Sequence, residues 1–113
     1  MANLDRFDLD DLTILKLRGS LTSDELDALE ASFLSATQQP GARVVIDLTG
    51  VEMVTTPALS MFIAAANQAR KGGGKVVFTE SQPPVRDVLQ RLRLFNVLTT
   101  VPGLENAIKE AQH

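Results

Sequence analysis

The sequence predicts an α/β fold: a small mixed, largely parallel β-sheet of four to five strands with about four helices. Three observations predict it. First, "RVVIDL" (43–48) and "KVVFTE" (75–80) are short, nearly continuous apolar runs, the pattern of central strands covered on both faces. Second, the segment between them, "PALSMFIAAANQARK", changes period and places Leu59, Phe62, Ile63, Ala66 and Ala69 at helical spacing before "GGG" (72–74) breaks it. Third, strand, helix and strand within about 35 residues is the length of a parallel crossover unit, and such connections are right-handed.

The remaining elements follow in order. "LTILKLRGSL" (12–21) reads as a strand with imperfect alternation, Leu15 and Leu17 on one face and Ile14 and Lys16 on the other. "LDRFD" before it is a short partner strand, with acidic "DLDD" as the turn. Thr22 and Glu25 then have capping-box spacing, and Leu26, Leu29 and Phe33 give the following helix one apolar stripe, ended by "QQPG". "SQPPVRDVLQRL" (81–92) is a further helix, with Pro83 and Pro84 where a missing N–H costs least and Val85, Val88, Leu89 and Leu92 as its apolar face. "LFNVLTTV" (94–101) is expected to return to the sheet edge. "PGLENAIKEAQH" closes as a short helix through Leu104, Ala107, Ile108 and Ala111. No repeat or linker interrupts the chain, so residues 1–113 are expected to form one domain. Its core is predicted to include Val44, Val45, Ile46, Leu48, Leu59, Phe62, Ile63, Val76, Val77 and Phe78.

Composition narrows the function classes. A net charge of −3, with no Trp, no Tyr and five Phe, argues against phosphate neutralisation and base stacking, so no nucleic acid is expected as a partner. The absence of cysteine removes disulfides and thiolate metal sites and fits a reducing, cytoplasmic setting. No apolar run approaches the roughly 20 residues that span a bilayer, and the acidic, mixed "MANLDRFDLDD" is not a signal peptide. No catalytic set is visible either. The single histidine is His113, the last residue, so neither a Ser/His/Asp nor a Cys/His arrangement can assemble. No enzyme, cofactor or metal is therefore expected.

Each remaining motif has a bland reading. Asp8, Asp10 and Asp11 read as a solvated turn, since no oxygen-ligand loop pattern follows them. "GGG" follows a helix and precedes a strand, the reverse of a phosphate cradle, and reads as a helix stop. "QRLRL", with Arg86 nearby and Arg91 and Arg93 within it, reads as a solvated helix face; contact with an acidic partner surface is the other reading. "VTTPAL" is the exception. Thr56 before Pro57 suits a helix opening in which the Thr oxygen accepts an N–H one turn in. The same segment follows the C-terminal end of a central strand, the rim where open parallel sheets bind ligands and partners. A phosphate on Thr55 or Thr56 would lie at a helix N-terminus, where the dipole favours negative charge.

The stretch "ARVVIDLTGVEMVTTPALSMFIAAANQARKGGGKVVFTESQPPVRDVLQRLRLFNVLTTVPGLENAI", extended back through "LTILKLRGSLTSDELDALEASF", resembles a STAS domain, the domain of bacterial anti-sigma-factor antagonists. The resemblance rests on "IDLTGVEMV", the helix after it, "GGKVVF" and "VRDVLQRLRLFNVL". It implies a small mixed sheet with helices packed against it. In that family the loop after "DLTGV" usually reads Asp-Ser-Ser-Gly-Leu, and its second Ser is phosphorylated by a kinase that is also the anti-sigma factor. Here Thr55 stands at the Asp, Thr56 at the first Ser, Pro57 at the usual acceptor, Ala58 at the Gly and Leu59 at the Leu. Pro57 has no hydroxyl and cannot be phosphorylated. A stress-signalling branch carries its acceptor immediately after the Asp, a position that Thr56 matches without the acid before it.

The resemblance implies a non-enzymatic signalling module. It would bind an anti-sigma factor or a related protein kinase through the loop and helix start at 51–61. The residues assigned to that contact are Val51, Glu52, Met53, Thr55, Thr56, Pro57, Ser60 and Met61, with Val51, Met53 and Met61 expected around an exposed loop. Thr56 is the first phosphorylation candidate and Thr55 the second. The alternative is a STAS subunit of a lipid-transport ATPase complex or a stress-signalling scaffold. Homodimerisation is left open.

Overall fold

The computed structural model describes residues 2–79, 82–94 and 97–113, apart from the side chain of Ser23. Its elements run β1 (Asn3–Asp8), β2 (Thr13–Leu21), a 3-10 turn (Ser23–Glu25), α1 (Leu26–Thr37), β3 (Arg43–Val54), α2 (Thr56–Lys71), β4 (Lys75–Thr79), α3 (Pro83–Arg91) and α4 (Leu104–Gln112). The strands form one sheet in the order β1-β2-β3-β4. β1 pairs antiparallel with β2 across the acidic turn, whereas β2–β3 and β3–β4 are parallel. This is the expected mixed, largely parallel sheet with four α-helices.

The continuous apolar runs are explained by burial on both faces. Leu15, Leu17, Val44, Ile46, Leu48, Val76 and Phe78 point into a large core with α1, α2 and α3. The alternate residues Ile14, Val45 and Val77 point the other way and pack with Ala107 and Ala111 of α4. Phe62 joins the first core at its centre, stacked on Phe33 at 5.9 Å and tilted against Phe78 at 5.2 Å. Of the predicted core only Ile63 is incompletely buried; it packs at the margin. On the second face, Arg43 donates to the Ala111 carbonyl at 2.6 Å and Lys75 to that of Glu110 at 3.1 Å. Two cations thus occupy the end of α4 where free carbonyls and the helix dipole favour them.

Several boundaries differ from the sequence expectation. The Thr22/Glu25 capping box does not form. A 3-10 turn intervenes, α1 starts at Leu26 without a side-chain cap, and the Glu25 carboxylate accepts from the Ala2 N–H instead. β3 runs to Val54 rather than Leu48, because β2 also continues, to Leu21, and supplies partners for residues 50–54. The pairing shifts register between Lys16 and Arg18 and between Gly19 and Ser20, and Gly19 takes a φ of 91°, which L side chains rarely adopt. Among the described residues of segment 94–101 there is a single parallel bridge, Phe78 with Thr100, and no strand; Phe95 and Asn96 lie outside the described residues. Leu92 falls just beyond α3 and is 52% exposed, so it is not part of that helix's apolar face. Glu80 and Ser81, expected at a strand end and a helix start, also lie outside the described residues.

The "GGG" run closes the crossover. Gly72 is the C-cap residue of α2 and donates to Ala69, while a Cβ on Gly74 would lie 1.8 Å from the Ala42 carbonyl oxygen. Only glycine permits that backbone approach, and it lets the Lys75 N–H reach Ala42 O at 2.9 Å and begin β4 in register.

Candidate functional site

The candidate site is the junction of β3 and α2, at the C-terminal rim of a central parallel strand. The end of β3 is held firmly. Asp47, nearly buried, accepts from both the backbone N–H and the hydroxyl of Thr49, and the Gln82 side-chain amide donates to the Thr49 carbonyl at 2.6 Å. Past Gly50 the strand turns its faces differently from the expected loop. Val51 is fully buried in the first core, so it is removed from the exposed set to which it was assigned. Glu52 and Met53 project outward, Met53 at 48% exposure, and Val54 is half-buried. The physical reason is strand pairing: residues 51–54 are held opposite Gly19–Leu21, and the pairing turns Val51 inward.

The helix opening also lies one residue earlier than expected. Thr55, in extended conformation (φ −106°, ψ 167°), is the N-cap residue of α2, and Thr56 and Pro57 are its first two residues. Thr55 makes no side-chain cap. Its hydroxyl instead donates to the Leu21 carbonyl at 3.0 Å, tying the start of α2 to the end of β2, while its own carbonyl accepts from the Leu59 N–H at 3.1 Å. The reading of Thr56 as the cap is therefore corrected: Thr56 is an exposed helical residue with its hydroxyl uncommitted to a cap. Ala58, Leu59 and Phe62 anchor the first turns in the core, which leaves Pro57 and Ser60 exposed and Met61 partly buried against it. Glu52, Met53, Thr56, Pro57 and Ser60 thus remain as the exposed members of the predicted set, with Thr55 half-buried beside them.

Residues that the sequence reading did not assign complete this surface. A cleft of about 510 Å³ opens between α1 and α2, shared by Pro57, Ser60 and Met61 on α2 and by Asp27, Glu30 and Leu34 on α1. Leu34 is 51% exposed. An apolar residue on the outer side of an amphipathic helix was the available signal, but single exposed leucines are common enough to carry no weight alone.

The other motifs take their bland readings. The acidic turn is solvated, and hydrogen bonds from Arg6 and Thr13 hold the Asp8 carboxyl below the usual carboxylate range. Among the described residues there is no group of three or more His, Cys, Asp or Glu side chains able to hold a metal, and no helix long and apolar enough to cross a membrane. Arg91 ends α3, and Arg93 follows with a φ of 58°; both are exposed.

Comparison with known proteins agrees with this architecture. A family model described as "Mlab, STAS domain" matches residues 6–100. A Bordetella bronchiseptica protein named as an anti-sigma factor antagonist, BtrV, is 29% identical over 106 residues, covering 91% of each chain. Among solved structures, an anti-sigma factor antagonist from Mycobacterium paratuberculosis superposes with a TM-score of 0.87 at 19% identity, over 100% of this chain and 96% of that one. The anti-sigma factor antagonist SpoIIAA in its unphosphorylated form superposes with a TM-score of 0.79 at 14% identity, over 96% and 95%. At these identities the structural likenesses establish the fold.

Proposed function

The chain belongs to the STAS domain family, and from that premise we propose that it is a non-enzymatic signalling module of the anti-sigma-factor-antagonist kind. Residues 1–113 act as one binding unit in the cytoplasm, and the partner is an anti-sigma factor or a related protein kinase. The observation that carries this reading is the β3–α2 junction. A rigid strand end and a core-anchored helix present Met53, Thr56, Pro57 and Ser60 outward together, at the rim where parallel sheets engage partners. At the junction itself Glu52 is the only ionised member of the exposed set, so contact there rests on shape and apolar burial, for which Met53 is well suited.

Any switch acts through Thr56. The Thr55 hydroxyl is already committed to Leu21, whereas Thr56 is an exposed residue. A phosphate on Thr56 would add about −1.5 to −2 charges beside Met53, and desolvating them under an apolar contact is unfavourable. Phosphorylation therefore weakens binding, and Thr56→Asp partly imitates it. The test is calorimetry with the cognate anti-sigma factor, together with intact mass after incubation with that kinase and ATP. Binding that survives Met53→Asp and Thr56→Asp in folded protein refutes the surface; phosphate on neither threonine refutes the switch and leaves binding constitutive.

Pro57 at the usual acceptor position favours a second reading, a STAS subunit seated on the ATPase of a lipid-transport complex without phosphorylation. Co-purification from the native cell separates the two: a kinase-like anti-sigma factor supports the first, a permease with its ATPase the second.

A further inference from the structure

We propose that the α1–α2 cleft receives an amphipathic helix of the partner protein, with its apolar stripe on the cleft floor and its Lys or Arg side chains against Asp27 and Glu30. The proposal deepens the signalling-module reading by naming the chemistry of the partner, and rests on it for the partner's existence.

Three features of the cleft select this occupant. Its lining includes the buried apolar side chains of Leu26, Phe33 and Ala65, and Thr37, also buried, donates its hydroxyl to the Phe33 carbonyl. Its walls are contributed by α1 and α2. On α1, Asp27, Glu30 and Leu34 follow one another at spacings of three and four residues, and on α2 so do Pro57, Met61, Ala64 and Gln68. At about 1.5 Å per residue, the stretch from Pro57 to Gln68 is roughly 17 Å long, which matches about three turns of a docked helix. Helix-in-groove recognition has this form, with anchors at helical spacing in an apolar channel.

The third feature is charge. The charged residues of α1 are Asp27 and Glu30, both exposed, and α1 carries no cation. Ser60, Ala64 and Gln68 on the facing wall are uncharged, so the charges of the lining are both negative and lie on the α1 side. Among the described residues no cation lines the cleft: Arg6 donates to Ser35 at 3.3 Å and to Asp8 at 3.0 Å, and Arg70 and Lys71 end α2 beyond Gln68. An acidic helix would meet repulsion along α1, while a basic one would gain attraction and steering. The cleft also shares Pro57, Ser60 and Met61 with the β3–α2 junction, so one partner can cover both.

The test uses the full chain and a fluorescein-labelled peptide of about twelve residues, carrying leucines at helical spacing flanked by lysines. Controls are a scrambled peptide of equal charge and a version with each Lys replaced by Glu. Anisotropy should show binding of the striped basic peptide about tenfold tighter than the scrambled one, and none of the acidic one. Asp27→Lys/Glu30→Lys should weaken binding about tenfold, and raising salt should weaken it further, since exposed pairs are screened. Asp87→Lys on α3, an exposed change of the same sign remote from the cleft, should shift affinity less than about twofold. Equal binding of the scrambled peptide, or indifference to Asp27→Lys/Glu30→Lys, overturns the proposal. So does self-association abolished by those same substitutions, which would assign the cleft to a second copy. The purified anti-sigma factor separates the two levels. If it binds regardless of Asp27→Lys/Glu30→Lys, the cleft proposal fails and the signalling reading stands. If it does not bind wild-type protein while the peptide pattern holds, the signalling reading fails and the basic-helix site stands.

Discussion

Replacing Thr55 by Val should destabilise the protein, and replacing Thr56 by Val should not. The two residues are neighbours of one type, yet their environments differ. The Thr55 hydroxyl donates to the Leu21 carbonyl at 3.0 Å and joins the start of α2 to the end of β2. Valine keeps the shape and β-branching but removes the donor. A neutral hydrogen bond contributes about 0.5–1.5 kcal/mol, and an acceptor left unpaired in a buried setting costs about 1–3 kcal/mol. Leu21 is fully buried and Thr55 half-buried, so a loss of about 1–2 kcal/mol is expected. Thr56 is exposed and makes no cap, and a surface change of that kind stays within about ±0.5 kcal/mol. With a urea slope of about 2 kcal/mol/M, Thr55→Val should lower the midpoint by about 0.5–1 M. The assay is urea denaturation followed by far-ultraviolet circular dichroism, because the chain has no Trp or Tyr to report by fluorescence. Thr55→Ser, which keeps the hydroxyl, should recover part of the loss. If Thr56→Val lowers the midpoint as much as Thr55→Val, the helix opens at Thr56 and the assignment of their roles is wrong.

Phe62→Ala should cost about 3–5 kcal/mol, because Phe62 is fully buried between the rings of Phe33 and Phe78; an unchanged melting temperature would show that α2 does not pack on the sheet in this way. Gly74→Ala should cost about 1–3 kcal/mol by forcing β4 away from Ala42, and hydrogen exchange at the Lys75 amide should accelerate. The Asp8 carboxyl should titrate below an exposed model carboxylate in NMR, and Arg6→Gln should raise its midpoint. Since its folded value is lowered, the associated stabilisation is present above the ordinary Asp range and is lost as pH falls through the folded value, which an acid titration of stability checks.

The fold was largely legible in the sequence because it is encoded by local periodicity. Continuous apolar strands require cover on both faces, and the helical spacing from Leu59 to Ala69 requires one sheet to pack against; the parallel crossover follows from the two together. The apolar face of α3 at Val85 and Leu89, with the paired prolines ahead of it, and the short α4 stripe were legible for the same reason. The capping box and the strand expected at 94–101 show the limit of such cues: the Glu25 carboxylate and the Phe78 backbone found partners that spacing alone does not specify.

The candidate site depended on contacts between residues distant in the chain, and these only the tertiary structure decided. Val51 looked like a loop residue after Gly50, but pairing with β2 across more than thirty positions made it a buried strand residue. Thr55 and Thr56 are interchangeable in propensity, and Leu21, brought alongside by the same pairing, decides which hydroxyl is structural and which is free. The cleft has no signature in either helix alone: Leu34 and Ala64 are ordinary exposed residues until the core brings α1 and α2 together and leaves both facing the same space. By itself, the sequence determined which stripe of each helix and which faces of the strands are apolar, because burial follows residue type and spacing. The tertiary structure decided which polar groups meet and which apolar ones stay uncovered, because both depend on partners that periodicity does not name.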